Sequence, residues 1–218
     1  MKNVIHTHTL YQKDYQEIWE KMRLYTKERT SNSLDEIWLL EHPPVYTLGQ
    51  AGLMSHILSP GKIPIVKTDR GGQVTYHGPG QLVMYTLFDL NHFNIGTSAF
   101  VKKLESSIIE LLSLYQITGH LIDKAPGVYV NNKKIASIGL RVSKGYTYHG
   151  ISLNVDMDLT PFNYINPCGH QNLKMTSLKQ EKPQIEWDLW QIGSELSNLV
   201  AILLEKNNFH FYERNQQA

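Results

Sequence analysis

The chain has 218 residues, of which 41% are hydrophobic and 19% are charged, as in an ordinary globular protein. These values exclude a disordered chain, and the length favours one domain over two. The formal net charge of +1 argues against a broad basic surface for nucleic acid.

The chain ends and the cysteine count indicate where the protein works. Residues 1–10 are polar and include two histidines, unlike a secretory signal. The most apolar stretch, 196–204, contains Ser197 and Asn198 and is too short to span a bilayer. One cysteine forms no internal disulfide, which is typical of a reducing compartment. We therefore expect a cytoplasmic monomer that binds neither membranes nor nucleic acid.

Hydrophobic periodicity predicts three helices separated by short strands. In chain order, the predicted elements are a helix over about 13–29, strands over 36–40 and 81–87, a helix capped by Thr97 or Ser98 with an apolar stripe over 100–115, strands over 127–130, 134–142 and 146–155, an irregular stretch over 156–174, a helix over about 185–206 and a strand over 209–212. Several strands follow one another with only turns between them. This order favours a mixed or antiparallel sheet with helices packed on it. We predict a single α/β domain over residues 1–218.

Cys168 lies in a segment that is typical of a turn. Pro167 precedes it and Gly169 follows it, so the backbone is constrained and a substrate has room to approach the thiol. A lone cysteine is more often a small buried hydrophobic residue. Such cysteines usually lie within apolar strands or helices, whereas this one is flanked by turn residues. Both interpretations remain open on local sequence alone.

A nucleophilic cysteine needs a nearby cation or base, because a free thiol is only about a few per cent thiolate at neutral pH. Lys134 is a candidate, since it opens a run that resembles a buried strand. The alternative is a solvated lysine beside Lys133 in a turn. The separation of 34 positions between Lys134 and Cys168 neither supports nor excludes contact.

The segment from Asp69 to Gln81 is the most unusual in composition. Its glycines allow a ligand close to the backbone, and exposed amides there hold a carbonyl or an anion. It lacks both the lysine of a phosphate-binding loop and the spacing of a dinucleotide-binding loop. The alternative is a pair of tight turns around one strand.

The ten histidines do not have the spacing of a zinc site, so we expect no metal. His77 and His149 each precede a glycine and are candidates to line a pocket, although each alone is more often a hydrogen-bonded structural residue.

Several segments, which occur in order between about Glu41 and Leu178, resemble the bacterial lipoyl(octanoyl) transferases. They are Glu41-His42-Pro43-Pro44-Val45-Tyr46-Thr47-Leu48-Gly49, Arg70-Gly71-Gly72-Gln73-Val74-Thr75-Tyr76-His77-Gly78-Pro79-Gly80-Gln81-Leu82, Lys134-Ile135-Ala136-Ser137-Ile138-Gly139, His149-Gly150-Ile151-Ser152-Leu153-Asn154-Val155, Pro167-Cys168-Gly169 and Thr176-Ser177-Leu178. The combination of segments is specific, and neither Cys168 nor Lys134 departs from the pattern.

The resemblance implies a mixed sheet flanked by helices, similar to the catalytic domain of biotin and lipoate protein ligases. It also implies an acyltransferase in which Cys168 carries the acyl group as a thioester and Lys134 tunes the thiol. The implied substrate-binding residues are Arg70, Gly71, Gly72, Gln73, Val74, Thr75, Tyr76, His77, Ser137, Ile138, Gly139, Gly150, Ile151 and Ser152, with His149 as a possible supporting residue.

The implied reaction moves an octanoyl or lipoyl group from acyl carrier protein to a lysine of a lipoyl domain. Acceptors would be lipoyl domains of 2-oxoacid dehydrogenase complexes and the glycine cleavage H protein. A thioester donor needs neither ATP nor metal, so no cofactor is expected. Three alternatives remain: an ATP-dependent lipoate or biotin ligase, a non-catalytic binding module, and a cysteine hydrolase that pairs the thiol with a histidine.

Overall fold

The structure is a computed structural model and describes residues 4–204 and 210–215. In that part of the chain the strands are, in order, β1 (Val4–Gln12), β2 (Asp35–Glu41), β3 (Val45–Leu48), β4 (Ile65–Lys67), β5 (Val74–His77), β6 (Gln81–Leu87), β7 (Val128–Val130), β8 (Lys133–Ser143), β9 (Tyr146–Asn154) and β10 (His210–Asn215). The helices are α1 (Tyr15–Glu28), α2 (Leu90–Phe93), α3 (Thr97–Leu114), α4 (Leu178–Glu181) and α5 (Leu189–Leu204). No helix within the described residues is both long enough and apolar enough to cross a membrane.

The strands form two sheets. The larger has the order β10-β1-β2-β6-β9-β8-β7, in which β1 runs parallel to both neighbours and the other pairs are antiparallel. The smaller has the order β4-β3-β5 and also mixes parallel and antiparallel pairs. The predicted mixed sheet flanked by helices is confirmed.

Strand β6 lies at the centre of the larger sheet, and all seven of its residues are buried. Because successive side chains alternate between faces, Leu82 and Met84 join the core formed with α3 and α5. Val83 and Tyr85 join the opposite core, which is formed with α1. The strand is therefore apolar on both faces over residues 82–85, and this explains the continuous apolar run there.

Most predicted elements are confirmed, but two helix starts are wrong. Thr97 is the first residue of α3, and the N-cap is Gly96. Glycine has no side chain, so the helix start has no side-chain capping hydrogen bond. Helix α5 begins at Leu189, four residues later than predicted. The reason is that the Asp188 carboxylate accepts from the N–H groups of Trp190 and Gln191 and caps the helix there. Residues 205, 206 and 209 of the predicted C-terminal elements lie outside the described residues.

Strands β1, β3, β4 and β5 are not predicted by the sequence pattern. In β1 the buried positions after Ile5 are Thr7 and Thr9, so the buried face carries hydroxyl groups. The strand therefore shows no alternation of hydrophobic and polar residues. Strands β3, β4 and β5 have only three or four residues each. Strands this short carry too few residues to show a period.

Candidate active site

A cavity of about 350 Å³ is lined by residues from both sheets and from α1 and α3. Among the predicted site residues it contains 70–75, His77, Lys134, 137–139, His149, 150–152 and Cys168. The antiparallel register of β8 and β9 brings two of these segments together, because Ser137 pairs with Ser152 and Gly139 with Gly150. Residues separated along the chain thus share one wall.

Cys168 occupies the single 3-10 turn Pro167–Gly169 and is partly exposed to the cavity. Its φ of 56° is left-handed, a conformation that costs a residue with a side chain of the order of 1 kcal/mol or more. The turn is held by the N–H of Gly169 donating to the Asn166 carbonyl at 3.0 Å and by the N–H of Asn166 donating to the His56 carbonyl at 2.7 Å. The backbone of the turn therefore fixes where the sulfur points.

Lys134 is the second residue of β8, and only 2% of it is exposed. Its N–H donates to the Lys174 carbonyl at 2.8 Å, and its carbonyl accepts from Thr176 at 2.9 Å. These bonds tie the chain just after the cysteine turn to the start of β8. As a result, Lys134 Nζ lies 3.0 Å from Cys168 Sγ, within hydrogen-bond distance for sulfur.

The Lys134 ammonium also lies 5.4 Å from the centre of the Tyr129 ring, a cation–π distance. At a separation of about 4 Å and an intermediate dielectric, a cation and an anion attract by roughly 4 kcal/mol. The ammonium therefore lies where it stabilises negative charge that develops on the sulfur during a reaction at the thiol.

Arg70 is a second buried cation in the cavity wall. Its guanidinium donates to the hydroxyl and carbonyl of Thr47 at 2.6–3.1 Å, and to the carbonyls of Gly71 and Gln73 at 2.8 Å each. Burial lowers the pKa of Arg70 from its ordinary value. These contacts curl the glycine-rich loop around the side chain and anchor it to β3. The N–H of Gly71 also donates to Leu140, which joins the loop to β8.

His149 forms a hydrogen-bonded pair with Asp69 at 3.0 Å, with His149 Nε2 facing the carboxylate. Burial lowers the pKa of His149, although the carboxylate opposes that effect. Burial raises the pKa of Asp69, but hydrogen bonds from His149, Tyr148 and Trp19 outweigh it and bring that pKa below its usual value. Asp69 thereby links α1 to the glycine-rich loop and to β9.

Of two further histidines, His77 lies in the cavity wall and His42 lies behind it. His77 contacts Gln81 at 2.7 Å and Thr47 at 3.3 Å, and burial lowers its pKa well below the usual value. Burial lowers the pKa of His42 to about 4, and its Nε2 lies 2.7 Å from the Tyr85 hydroxyl. These rings are therefore neutral at pH 7. Among the described residues no group of three or more His, Cys, Asp or Glu side chains has the arrangement of a metal site.

The structure places Tyr76 away from the cavity, unlike the other predicted site residues. Strand β5 alternates its side chains, so His77 faces the cavity while Tyr76 packs against Tyr46 and Phe162 in a separate core.

Several further wall residues were not predicted from the sequence. These are Tyr15, Val83, Tyr85, Val101, Lys124, Ala125, Pro126 and Leu140. No local motif marks them, since only the packing of α1, β6 and α3 brings them there.

Solved structures with a similar fold are protein ligases. The chain superposes on lipoate-protein ligase A bound with ATP with a TM-score of 0.77, at 11% identity, over 100% of this chain and 90% of that one. It superposes on biotin protein ligase from Aquifex aeolicus with a TM-score of 0.55, at 16% identity, over 94% of this chain and 70% of that one. At these identities the similarity shows that the chain has the fold of the lipoate and biotin protein ligases, and it shows the fold alone.

Sequence comparison identifies the family. Residues 14–193 match the lipoyl protein ligase A/B catalytic domain, and the chain belongs to that family. It is 58% identical to an octanoyltransferase of Legionella pneumophila (strain Corby) over 179 residues, which cover 82% of this chain and 90% of that protein. It is 55% identical to an octanoyltransferase of Saccharophagus degradans over 175 residues, which cover 80% and 81%.

Proposed function

We propose that this acyltransferase moves an octanoyl group from acyl carrier protein to a lysine of a lipoyl domain, through a thioester on Cys168. Relatives more than half identical to the chain are octanoyltransferases. The observation that carries the mechanism is the 3.0 Å contact between Lys134 Nζ and Cys168 Sγ in the wall of the cavity.

In the first half-reaction the Cys168 thiolate attacks the thioester carbonyl of the donor. The bond between that carbonyl and the carrier sulfur breaks, and the departing sulfur takes a proton from the Lys134 ammonium. The acyl group then rests on Cys168 beside a neutral lysine. Exchange of one thioester for another is nearly isoenergetic, so ATP has no role in the step.

In the second half-reaction the acceptor amine attacks the Cys168 thioester. Neutral Lys134 takes the proton that the amine loses, and Cys168 leaves as the thiolate. This restores the starting pair and releases an amide, which is more stable than the thioester. One ammonium thus gives a proton and takes one back within each turnover.

The edge of β8 offers donors for the oxyanion of both steps. Strand β7 pairs with β8 only as far as Ala136, whereas β9 pairs along Ala136–Ser143. We place the oxyanion donors among the backbone N–H groups of Ser137–Gly139, because these residues line the cavity and are not paired with β7. Donors aimed at a developing oxyanion typically contribute about 3 kcal/mol to catalysis.

The acyl tail fits the glycine-lined part of the cavity. Gly71 and Gly139 lie where the loop crosses β8, since a Cβ on Gly139 would lie 3.3 Å from the Gly71 carbonyl oxygen. Burying about seven carbons at roughly 0.8 kcal/mol each supplies about 5–6 kcal/mol of binding free energy. The depth of the cavity beyond Cys168 then selects the length of the chain.

The acceptors we propose are lipoyl domains of 2-oxoacid dehydrogenase complexes and the glycine cleavage H protein. We assign the enzyme no ATP and no metal, because the donor already carries an activated acyl group. A free nucleophilic thiol suits a reducing compartment, and we place the reaction in the cytoplasm, with the chain acting as a monomer.

Intact-mass spectrometry tests the function. We expect wild-type protein mixed with octanoyl carrier protein to gain one octanoyl group, mapped to Cys168, and then to lose it when a lipoyl domain is added. The matched control is Cys168→Ala. No adduct, with transfer still occurring, would contradict the thioester intermediate. Loss of the adduct to water without modification of the acceptor would identify a hydrolase instead.

A second assay separates transferase from ligase. The protein is incubated with free octanoate, ATP and a lipoyl domain. A transferase leaves the lipoyl domain unmodified under these conditions, whereas robust modification would favour the ATP-dependent ligase. Absence of both the adduct and transfer would favour a binding module.

A further inference from the structure

Glu105 is a buried carboxylate outside the catalytic pair. It lies on α3, and only 8% of it is exposed. Its Oε1 accepts a hydrogen bond from the N–H of Gly127 at 3.0 Å. Within residues 4–204 and 210–215 it forms no ion pair with a lysine, arginine or histidine side chain. Burying a carboxylate without a charged partner is costly. The hydrogen bond from the Gly127 N–H therefore indicates that Glu105 has a specific role.

The residue that Glu105 holds lies directly against the side chain of Lys134. Gly127 has φ +122°, and a Cβ built on it would lie 2.6 Å from Lys134 Cε and 3.3 Å from Lys134 Nζ. It would also lie 2.4 Å from the Ala136 carbonyl oxygen. The bare backbone of Gly127 therefore forms the surface on which the end of the lysine side chain rests.

A second bond holds the same stretch of chain. The Tyr129 hydroxyl donates to the Ala125 carbonyl at 3.1 Å, two residues before Gly127. Lys124, Ala125 and Pro126 line the cavity, so residues 124–127 form a loop fixed at one point by Tyr129 and at its end by Glu105. Any displacement of this loop moves the surface under Lys134.

The charges of this cluster converge on the Tyr129 hydroxyl. Burial raises the pKa of Tyr129, the Lys134 ammonium opposes that rise, and Cys168 and Glu105 add to it. Glu105 and Lys134 therefore act on the same group.

We propose that Glu105 is a positioning residue for the Lys134–Cys168 pair: by fixing the N–H of Gly127 it holds the surface that keeps the Lys134 ammonium against the sulfur. This inference rests on the proposed thioester mechanism. A carboxylate suits the task because hydrogen bonds to charged acceptors are shorter and stronger than those between neutral groups.

The test measures the rate of Cys168 alkylation by iodoacetamide against pH, together with single-turnover acylation by octanoyl carrier protein. For Glu105→Leu we expect acylation to slow about tenfold, the size of one lost hydrogen bond to a charged group. We expect the pH profile of alkylation to differ from that of the wild type, because the Lys134 ammonium no longer lies against the sulfur. Glu105→Gln keeps an acceptor oxygen for Gly127 and should restore most of both quantities.

Two further variants keep the test decisive. Gly127→Ala keeps the Glu105 side chain but crowds Lys134 Cε and the Ala136 carbonyl oxygen, so it should reproduce the Glu105→Leu profile. Glu110→Leu alters an exposed glutamate on the same helix and should leave the profile unchanged. If Glu105→Leu alkylates with the wild-type pH profile while remaining folded by circular dichroism, the proposal is wrong. It is equally wrong if Glu105→Gln is as impaired as Glu105→Leu.

The two readouts separate this inference from the proposed function. Alkylation needs no octanoyl donor, so it reports the lysine–thiol contact even if no acyl adduct ever forms. A wild-type protein that fails to acylate while Glu105→Leu still shifts the alkylation profile would contradict the proposed function alone. Normal acylation with an unshifted profile in Glu105→Leu would contradict the role of Glu105 alone.

Discussion

Two buried cations line the cavity, and they differ in what their nitrogens contact. The Arg70 guanidinium is surrounded by oxygens of Thr47, Gly71 and Gln73, all of which belong to the protein framework. The Lys134 ammonium faces a thiol and the face of an aromatic ring. A cation whose donors are filled by backbone oxygens holds a loop in shape. A cation that faces a partly exposed sulfur is placed for proton transfer.

The strongest way to break this comparison is to remove the sulfur. We expect Cys168→Ala to lower octanoyl transfer at least about a thousandfold, because the covalent intermediate is lost. The thermal midpoint should change little, since alanine meets the same left-handed φ as cysteine and the site is partly exposed. Single-turnover transfer and differential scanning fluorimetry measure the two quantities. Unchanged turnover would show that Cys168 is not the nucleophile.

Removing the framework cation should reduce stability more than any other change in the wall. We expect Arg70→Met to lower the free energy of unfolding by about 3 kcal/mol, because the carbonyls of Thr47 and Gln73 lose their donors inside the protein. Urea denaturation measures the loss, with the exposed Lys67→Met as control. Wild-type stability in Arg70→Met would show that the guanidinium does not hold the loop.

Removing the Lys134 ammonium should have the opposite effect, because it should lower activity and leave stability nearly unchanged. We expect Lys134→Met to slow acylation by about a hundredfold, within the usual range for general acid–base groups, and to leave stability near that of the wild type. Alkylation of Cys168 at neutral pH should slow in the same variant, because the ammonium no longer lies beside the sulfur. The neighbouring exposed Lys133→Met serves as control. A large loss of stability with normal acylation would reverse the roles assigned to the two cations.

His42 is a buried base that stays neutral at pH 7, in contrast to the two buried cations. His42 has a folded-state pKa of about 4, below the ordinary value of about 6.5 in the unfolded chain. The unfolded chain therefore binds more protons between these values, and stability must fall as the pH drops below about 6.5.

For His42 alone we expect a loss of roughly 2 kcal/mol between pH 7 and pH 5. His77 and His149 act in the same direction. Urea denaturation at both pH values measures the slope, which should be smaller in His42→Gln than in the wild type. An equal slope in His42→Gln and wild type would mean that His42 is not the group that titrates.

Much of the fold was predictable because its elements are long and strongly patterned. The central strand β6 was predicted with its observed ends, and the pair β8 and β9 was predicted to within a residue at each end. The short strands of the smaller sheet and the hydroxyl-bearing β1 were not predicted. Their burial comes from neighbours far along the chain, which local periodicity does not record.

The candidate site was predictable only in part. The segments around Lys134 and Cys168 were singled out as chemistry-bearing, and the resemblance assigned them roles. Asp69, the partner of His149, lay unrecognised at the start of the glycine-rich segment. Glu105 had no local signal, because a glutamate on an amphipathic helix is usually solvated and only the position of α3 buries it.

The sequence by itself determined the type of fold, the family segments and the presence of one thiol in a turn, because these depend on local residue types and their spacing. Tertiary structure alone decided that a lysine 34 residues away meets that thiol at 3.0 Å. It also decided which buried cation is saturated by backbone oxygens and which faces the sulfur. Such pairings depend on sheet register and on long-range packing, and a linear order of residues does not specify either.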